Sequence, residues 1–170
     1  GADALGFVFY KKSKRFITPQ KAKSIIKNLP KNVLKVGVFV NAKASTLQKV
    51  ARICGLDILQ LHGEESSDFC ASIKGFKVVK GLRVRENIEI NEILKFKTFG
   101  ILFDAFSNNA YGGTGKKFDW KELSKIRRQI KSKLFLSGGL NAENVKQAIR
   151  IVKPDWVDVS SSVEIDPGVK

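Results

Sequence analysis

Short apolar runs alternate with amphipathic stretches from one end of the 170-residue chain to the other. The runs Ala4–Tyr10, Val33–Val40, Ile58–His62, Lys77–Val84, Phe99–Ala105, Leu134–Gly138 and Trp156–Ser161 predict strands. Most are unbroken apolar segments rather than apolar–polar alternations, as expected of a parallel sheet covered on both faces. Between them, apolar residues at helical spacing predict helices over Pro19–Leu29, Ala44–Cys54, Ser66–Ile73, Ile88–Phe96, Trp120–Ile130 and Ala142–Val152. Thr18-Pro19 supplies a capping hydroxyl with proline at the first helical position, and Asp119 and Asn141 are candidate caps.

Strict alternation of strand and helix leaves two α/β architectures, a doubly wound open sheet and a (β/α)8 TIM barrel. No GxGxxG follows the first strand, so the dinucleotide-binding sheet lacks its fingerprint. The chain opens Gly1-Ala2-Asp3 without Met, and Gly is the usual residue just past a helix end. The expectation is therefore a single barrel domain over 1–170, supplying strands two to eight. The first strand–helix unit and the final helix are expected to be lacking. No linker or low-complexity tract marks a second domain.

Composition adds less. With 31 Lys and Arg against 16 Asp and Glu, the formal net charge is +15, which attracts polyanions and phosphorylated metabolites alike. The lysines, among them Lys21, Lys23, Lys27, Lys49, Lys121, Lys125 and Lys146, are spread over several helices rather than gathered with aromatics into one stripe. A solvated lysine-rich surface is the expectation, with no nucleic-acid or membrane partner. No apolar run approaches the roughly 20 residues of a membrane span. Cys54 and Cys70 fall in helical segments without metal-ligand spacing, which suits a reduced, cytoplasmic setting.

In a barrel the chemistry sits at the C-terminal ends of the strands. Those ends carry Lys11-Lys12-Ser13-Lys14-Arg15, His62-Gly63-Glu64-Glu65, Asp104, Ser137-Gly138-Gly139-Leu140 and Asp158-Val159-Ser160-Ser161-Ser162. Gly138-Gly139 leads into a helix, where backbone amides can approach an anion closely. Ser160, Ser161 and Ser162 add hydroxyls and amides from the next loop. Paired loops of this kind form the usual phosphate site of the fold, so a phosphorylated small-molecule substrate is expected.

Asp104 ends an apolar run, and a carboxylate at a strand mouth suits acid catalysis. Asp158 reads as lying inside an apolar strand, where it needs a partner, so a structural and a binding role both stand. His62, the sole histidine, is a substrate-contact or a structural residue. Arg15 can grip a carboxylate with two parallel hydrogen bonds. The glycine-rich stretch Asn108–Lys116 reads as a lid over the strand ends.

Taken in order, GADALGFVFYKKSKRFITP, KVGVFVN, LQLHGEE, LFDAF…YGGTGKKFDW, LSGGLNAENV and VDVSSSVEIDPGVK resemble the phosphoribosylanthranilate isomerases. The resemblance covers essentially the whole chain. It implies a (β/α)8 barrel, a monomer or homodimer, and an Amadori rearrangement in tryptophan biosynthesis without metal or organic cofactor. N-(5-phosphoribosyl)anthranilate becomes 1-(2-carboxyphenylamino)-1-deoxyribulose 5-phosphate. By the resemblance, Asp104 is the general acid at the ribose ring oxygen and Arg15 holds the anthranilate carboxylate. Gly138, Gly139 and Ser160–Ser162 take the phosphate, while His62 belongs to the site.

Two departures matter. The family's general base is a cysteine in a Lys-Ile-Cys-Gly motif ending the first strand, and no strand end here carries it. Arg52-Ile53-Cys54-Gly55 is similar only locally; it closes a helix, which makes Cys54 a core residue. A chain of these residues alone is thus expected to be a poor or inactive catalyst. Secondly, Ser162 stands where the family usually has Gly, and its side chain is expected to crowd the loop or tilt its amide. The competing readings are another phosphosugar barrel enzyme, and a catalytically impaired barrel fragment serving as a basic binding or assembly module. A metal-dependent epimerase would want several histidines, and there is one.

Overall fold

The strand and helix patterns resolve into two compact units, Gly1–Lys80 and Gly81–Lys170, in a computed structural model that describes residues 1–84, 89–105 and 120–169. The first unit holds β1 (Ala4–Val8), α1 (Pro19–Ile26), β2 (Leu34–Phe39), α2 (Ala44–Cys54), β3 (Ile58–Leu61) and α3 (Ser67–Ser72). β4 (Lys77–Val84) begins there and runs across the boundary. The second unit continues with α4 (Ile90–Leu94), β5 (Gly100–Ala105), α5 (Trp120–Ile126), β6 (Lys133–Ser137), α6 (Val145–Val152) and β7 (Trp156–Val157).

Within the first unit β1, β2, β3 and β4 pair in chain order and in parallel, with Ala4 opposite Leu34, Val36 opposite Ile58 and Ile58 opposite Lys77. In the second, β5, β6 and β7 do the same, with Gly100 opposite Lys133 and Phe135 opposite Trp156. Parallel pairing aligns all the C-terminal ends of a unit on one side, and the intervening helices are the connections this requires. The apolar runs become core. Every residue of β3 is buried, as are Leu134, Phe135 and Leu136 of β6. In the second unit Ile101, Phe103, Leu123, Leu134, Leu136, Ala148 and Val152 form one buried cluster.

Carboxylates at strand starts are structural here. Asp57, just before β3, accepts the Lys35 backbone amide at 2.8 Å and the Lys35 ammonium at 2.7 Å. Asp155, just before β7, accepts the Leu134 amide at 2.8 Å and pairs with Arg127 and Lys133 at 2.8 and 2.9 Å. Each stitches two neighbouring strands at the end opposite the loops that follow them. Burial works against the Asp155 charge, but the Leu134 amide and the two cations outweigh it and hold its carboxyl below the ordinary range.

Several expected boundaries are corrected. β7 is two residues rather than Trp156–Ser161; Asp158 donates one more ladder bond to Leu136, and Ser160 then leaves the extended conformation for a 3-10 turn over Ser161–Val163. α6 starts at Val145, not Ala142, because Asn141 caps a preceding turn instead, its side-chain oxygen accepting the Glu143 and Asn144 amides at 3.0 Å each. α1 stops at Ile26, three residues early, in two tighter i→i+3 bonds before Pro30. α5 likewise gives way to a 3-10 turn over Arg127–Gln129. The Thr18 cap is in place, its hydroxyl accepting the Lys21 amide at 3.3 Å. The Asp119 cap, the residue 88 helix start and the Asn108–Lys116 lid fall outside the described residues.

Candidate functional site

In the second unit the ends of β5, β6 and β7 bring three polar residues together. Asp104 is the register partner of Ser137, and the Ser137 hydroxyl donates to Asp158 at 3.3 Å. Asp104 is half-buried while Asp158 is exposed, so the two carboxylates meet different surroundings at one edge. Asp158 is not inside a strand, as its apolar neighbours suggest; it stands one residue past β7. The sequence gives Ser137 a place, as the residue that opens the strand-end Ser-Gly-Gly motif, but no role of its own.

Two glycines follow Ser137 with φ of 90° and 65°, a backbone that side chains disfavour. The turn they make is fixed from behind, since Asn144 donates its side-chain amide to the Gly139 carbonyl at 2.8 Å. The neighbouring loop reaches across to it. Ser162 donates its hydroxyl to the Leu140 carbonyl at 2.6 Å, joining the two loops expected to hold phosphate. Ser162 carries no left-handed backbone strain. Among the described residues other than glycine, only Asn41 and Lys153 take a positive φ. Ser162 therefore has an ordinary backbone and a bonded hydroxyl.

In the first unit Arg15 and His62 each sit beyond the end of a strand. After β1 the chain turns through a Ser13 amide bond to Tyr10, and Phe16 returns to bridge Val8. Arg15, half-buried, is held in that turn by its amide bond to the Ser13 hydroxyl at 3.1 Å. His62 follows β3 directly and donates its amide to Phe39 of β2 at 2.8 Å. Its Nδ1 accepts from Gln60, two residues back on the same face, at 3.0 Å.

Beside His62 lies an ion pair that sequence reasoning missed. Lys80 of β4 and Glu65 approach to 2.9 Å with both side chains almost fully buried. Burial pushes the Glu65 carboxyl up, yet the Lys80 ammonium and the Asn41 amide outweigh it and leave it below the ordinary carboxylate range. The signal was present: a lysine within Val78-Val79-Lys80, an apolar strand run, must find a buried partner.

Both cysteines are buried and lie in helices. Cys54 is the last residue of α2, next to the Gly55 cap, and its thiol donates to the Pro19 carbonyl at 3.4 Å. The segment then enters β3 at its N-terminal end. Burial raises the Cys54 thiol above its ordinary value, against Lys23. Burial also raises Cys70, in α3, to about 11. Thiols so placed stay protonated near neutrality.

The family model for N-(5'-phosphoribosyl)anthranilate (PRA) isomerase matches residues 1–170. An N-(5'-phosphoribosyl)anthranilate isomerase of Pelobacter propionicus is 46% identical over 170 residues, covering all of this chain and 80% of that protein. The crystal structure of the phosphoribosyl anthranilate isomerase from Thermotoga maritima superposes with a TM-score of 0.91 at 46% identity, over 100% of this chain and 82% of that one. A crystal structure of a phosphoribosyl anthranilate isomerase in complex with reduced 1-(o-carboxyphenylamino)-1-deoxyribulose 5-phosphate gives a TM-score of 0.88 at 43% identity, with coverage of 100% and 81%.

Proposed function

The chain belongs to the N-(5'-phosphoribosyl)anthranilate isomerase family, and we propose that Asp104 is the general acid of its reaction. Its fold is the α/β, TIM-barrel type of those relatives. It is an isomerase of tryptophan biosynthesis that converts N-(5-phosphoribosyl)anthranilate to 1-(2-carboxyphenylamino)-1-deoxyribulose 5-phosphate. The observation that carries the Asp104 assignment is its place at the end of β5, in register with the Ser137 that opens the Gly138-Gly139 turn. A carboxylic acid there protonates the ribose ring oxygen as the C1–O bond breaks, which opens the ring to an iminium.

The other roles follow from place and chemistry. Gly138, Gly139, Ser160, Ser161 and Ser162 take the phosphate, supported by the positive-φ turn and the Ser162–Leu140 bond between the two loops. Asp158, exposed beside Ser137, contacts a substrate hydroxyl. Arg15 takes the anthranilate carboxylate, for which a guanidinium offers paired donors. His62 contacts the substrate from the end of β3. The protein works as a monomer or homodimer in the cytoplasm on this small molecule alone; the spread of its lysines over several helices gives nucleic acid no single stripe.

Removal of the C2 proton needs a base, and Cys54 and Cys70 are buried in helices with raised thiols. Residues 1–170 by themselves are therefore expected to turn over slowly, by roughly 10²–10⁴-fold relative to an enzyme with its base. Two measurements test the reading. Calorimetry with reduced 1-(o-carboxyphenylamino)-1-deoxyribulose 5-phosphate is expected to give saturable binding by the 170-residue chain, and no binding overturns the binding roles. Turnover, followed by the fluorescence of phosphoribosylanthranilate, is expected to be slow and to fall a further roughly 10²–10⁴-fold in Asp104→Asn. Turnover as fast as that of an enzyme with its base would return Cys54 to candidacy as the base.

A further inference from the structure

Burying an ion pair rarely adds stability over apolar residues of the same volume, but it does impose one geometry. The Lys80–Glu65 pair imposes its geometry on a single segment. The Lys80 ammonium donates to the Leu61 carbonyl at 3.3 Å, to the Gly63 carbonyl, and to Glu65 Oε2 at 2.9 Å. These acceptors straddle His62. The Glu65 carboxylate turns back onto the same stretch, Oε2 accepting the Gly63 amide at 2.9 Å and Oε1 the Asn41 amide at 2.7 Å. Asn41, in the loop after β2, answers with its side-chain oxygen, which accepts the Glu64 amide at 2.8 Å. Gly63 lies so close that a Cβ there would meet the Asn41 backbone nitrogen at 2.8 Å.

We propose that Lys80 and Glu65 are positioning residues for His62. The pair, with Asn41, holds the turn that presents the imidazole beyond β3, so a ligand meets a ring already in place. The proposal rests on the reading that His62 touches the substrate. It adds two residues, on β4 and in the β3–α3 loop, that act on binding only through that ring.

His62 is the only histidine, so its Hε1 proton gives one isolated NMR signal. Titrating the 170-residue chain with reduced 1-(o-carboxyphenylamino)-1-deoxyribulose 5-phosphate reads affinity and that signal together. Lys80→Met is expected to move the free-state resonance and weaken binding roughly tenfold, as for residues that couple in contact. The double variant Lys80→Met/His62→Ala is expected to bind no worse than His62→Ala. Asn41→Gly is the mild companion should Lys80→Met fail to fold, because glycine suits its φ of 51° and only one acceptor is lost. It is expected to move the same resonance and weaken binding about threefold. Undiminished binding by His62→Ala overturns the reading of His62 itself. Weaker binding by His62→Ala, with an unmoved resonance and parent affinity in Lys80→Met or Asn41→Gly, overturns the positioning role. Additive losses in the double variant overturn it as well, since the pair would then act by another route.

Discussion

Ser162 illustrates how one hydroxyl changes a local expectation. Its side chain, where relatives are expected to carry none, reaches the Leu140 carbonyl at 2.6 Å and ties the loop after β7 to the loop after β6. A neutral hydrogen bond of this kind contributes about 1 kcal/mol. Ser162→Gly is therefore expected to bind inorganic phosphate a few-fold more weakly, through loss of the tie and gain of backbone freedom. Calorimetry would decide it, and unchanged or tighter binding would mean that the tie does not organise the loops. Strand-end residues were legible because a rule about parallel α/β folds converts sequence position into location. The Ser137–Asp158 bond and the Lys80–Glu65 pair escaped because their meaning lies in partners. Lys80 meets Glu65 across a sequence gap that no local pattern spans.

At the scale of elements, apolar runs fixed the interiors of strands and helices, while polar side chains decided their ends. β4 and α2 match their expected bounds. α6 begins three residues late since Asn141 satisfies two amides of a turn that competes with the helix. β7 ends early where the backbone tightens, the Val163 and Glu164 amides donating to the Ser160 and Ser161 carbonyls in a 3-10 turn. Thr18 shows the reverse case, a cap legible from Thr-Pro and present at 3.3 Å to the Lys21 amide. Thr18→Ala is expected to lower stability by about 1 kcal/mol, read as a shift in the denaturant midpoint at constant slope. A midpoint shift below a few tenths of that value would show the cap to be idle.

For the whole molecule, each unit holds a carboxylate depressed below its ordinary range, Glu65 beside Lys80 and Asp155 beside Arg127 and Lys133. A depressed carboxyl binds protons more weakly folded than unfolded, so its contribution is complete above the unfolded value of about 4. It is lost as pH falls below that value through the folded one. Stability followed by circular dichroism is thus expected to hold from neutrality to about pH 4 and drop below it, and Glu65→Gln to blunt the drop. A profile that Glu65→Gln leaves unchanged would remove Glu65 from the cause. The sequence by itself determined the alternating α/β order, the strand-end candidates Arg15, His62, Asp104 and Gly138-Gly139, and the exclusion of Cys54 from a strand end. Those follow from periodicity and position, which are local properties of the chain. Only the tertiary structure decided that Asp104 stands in register with Ser137, that Ser162 bonds Leu140, and that Lys80 and Glu65 are buried against the His62 turn. Such pairings depend on strand register and loop approach, and these are settled by packing between segments far apart in sequence.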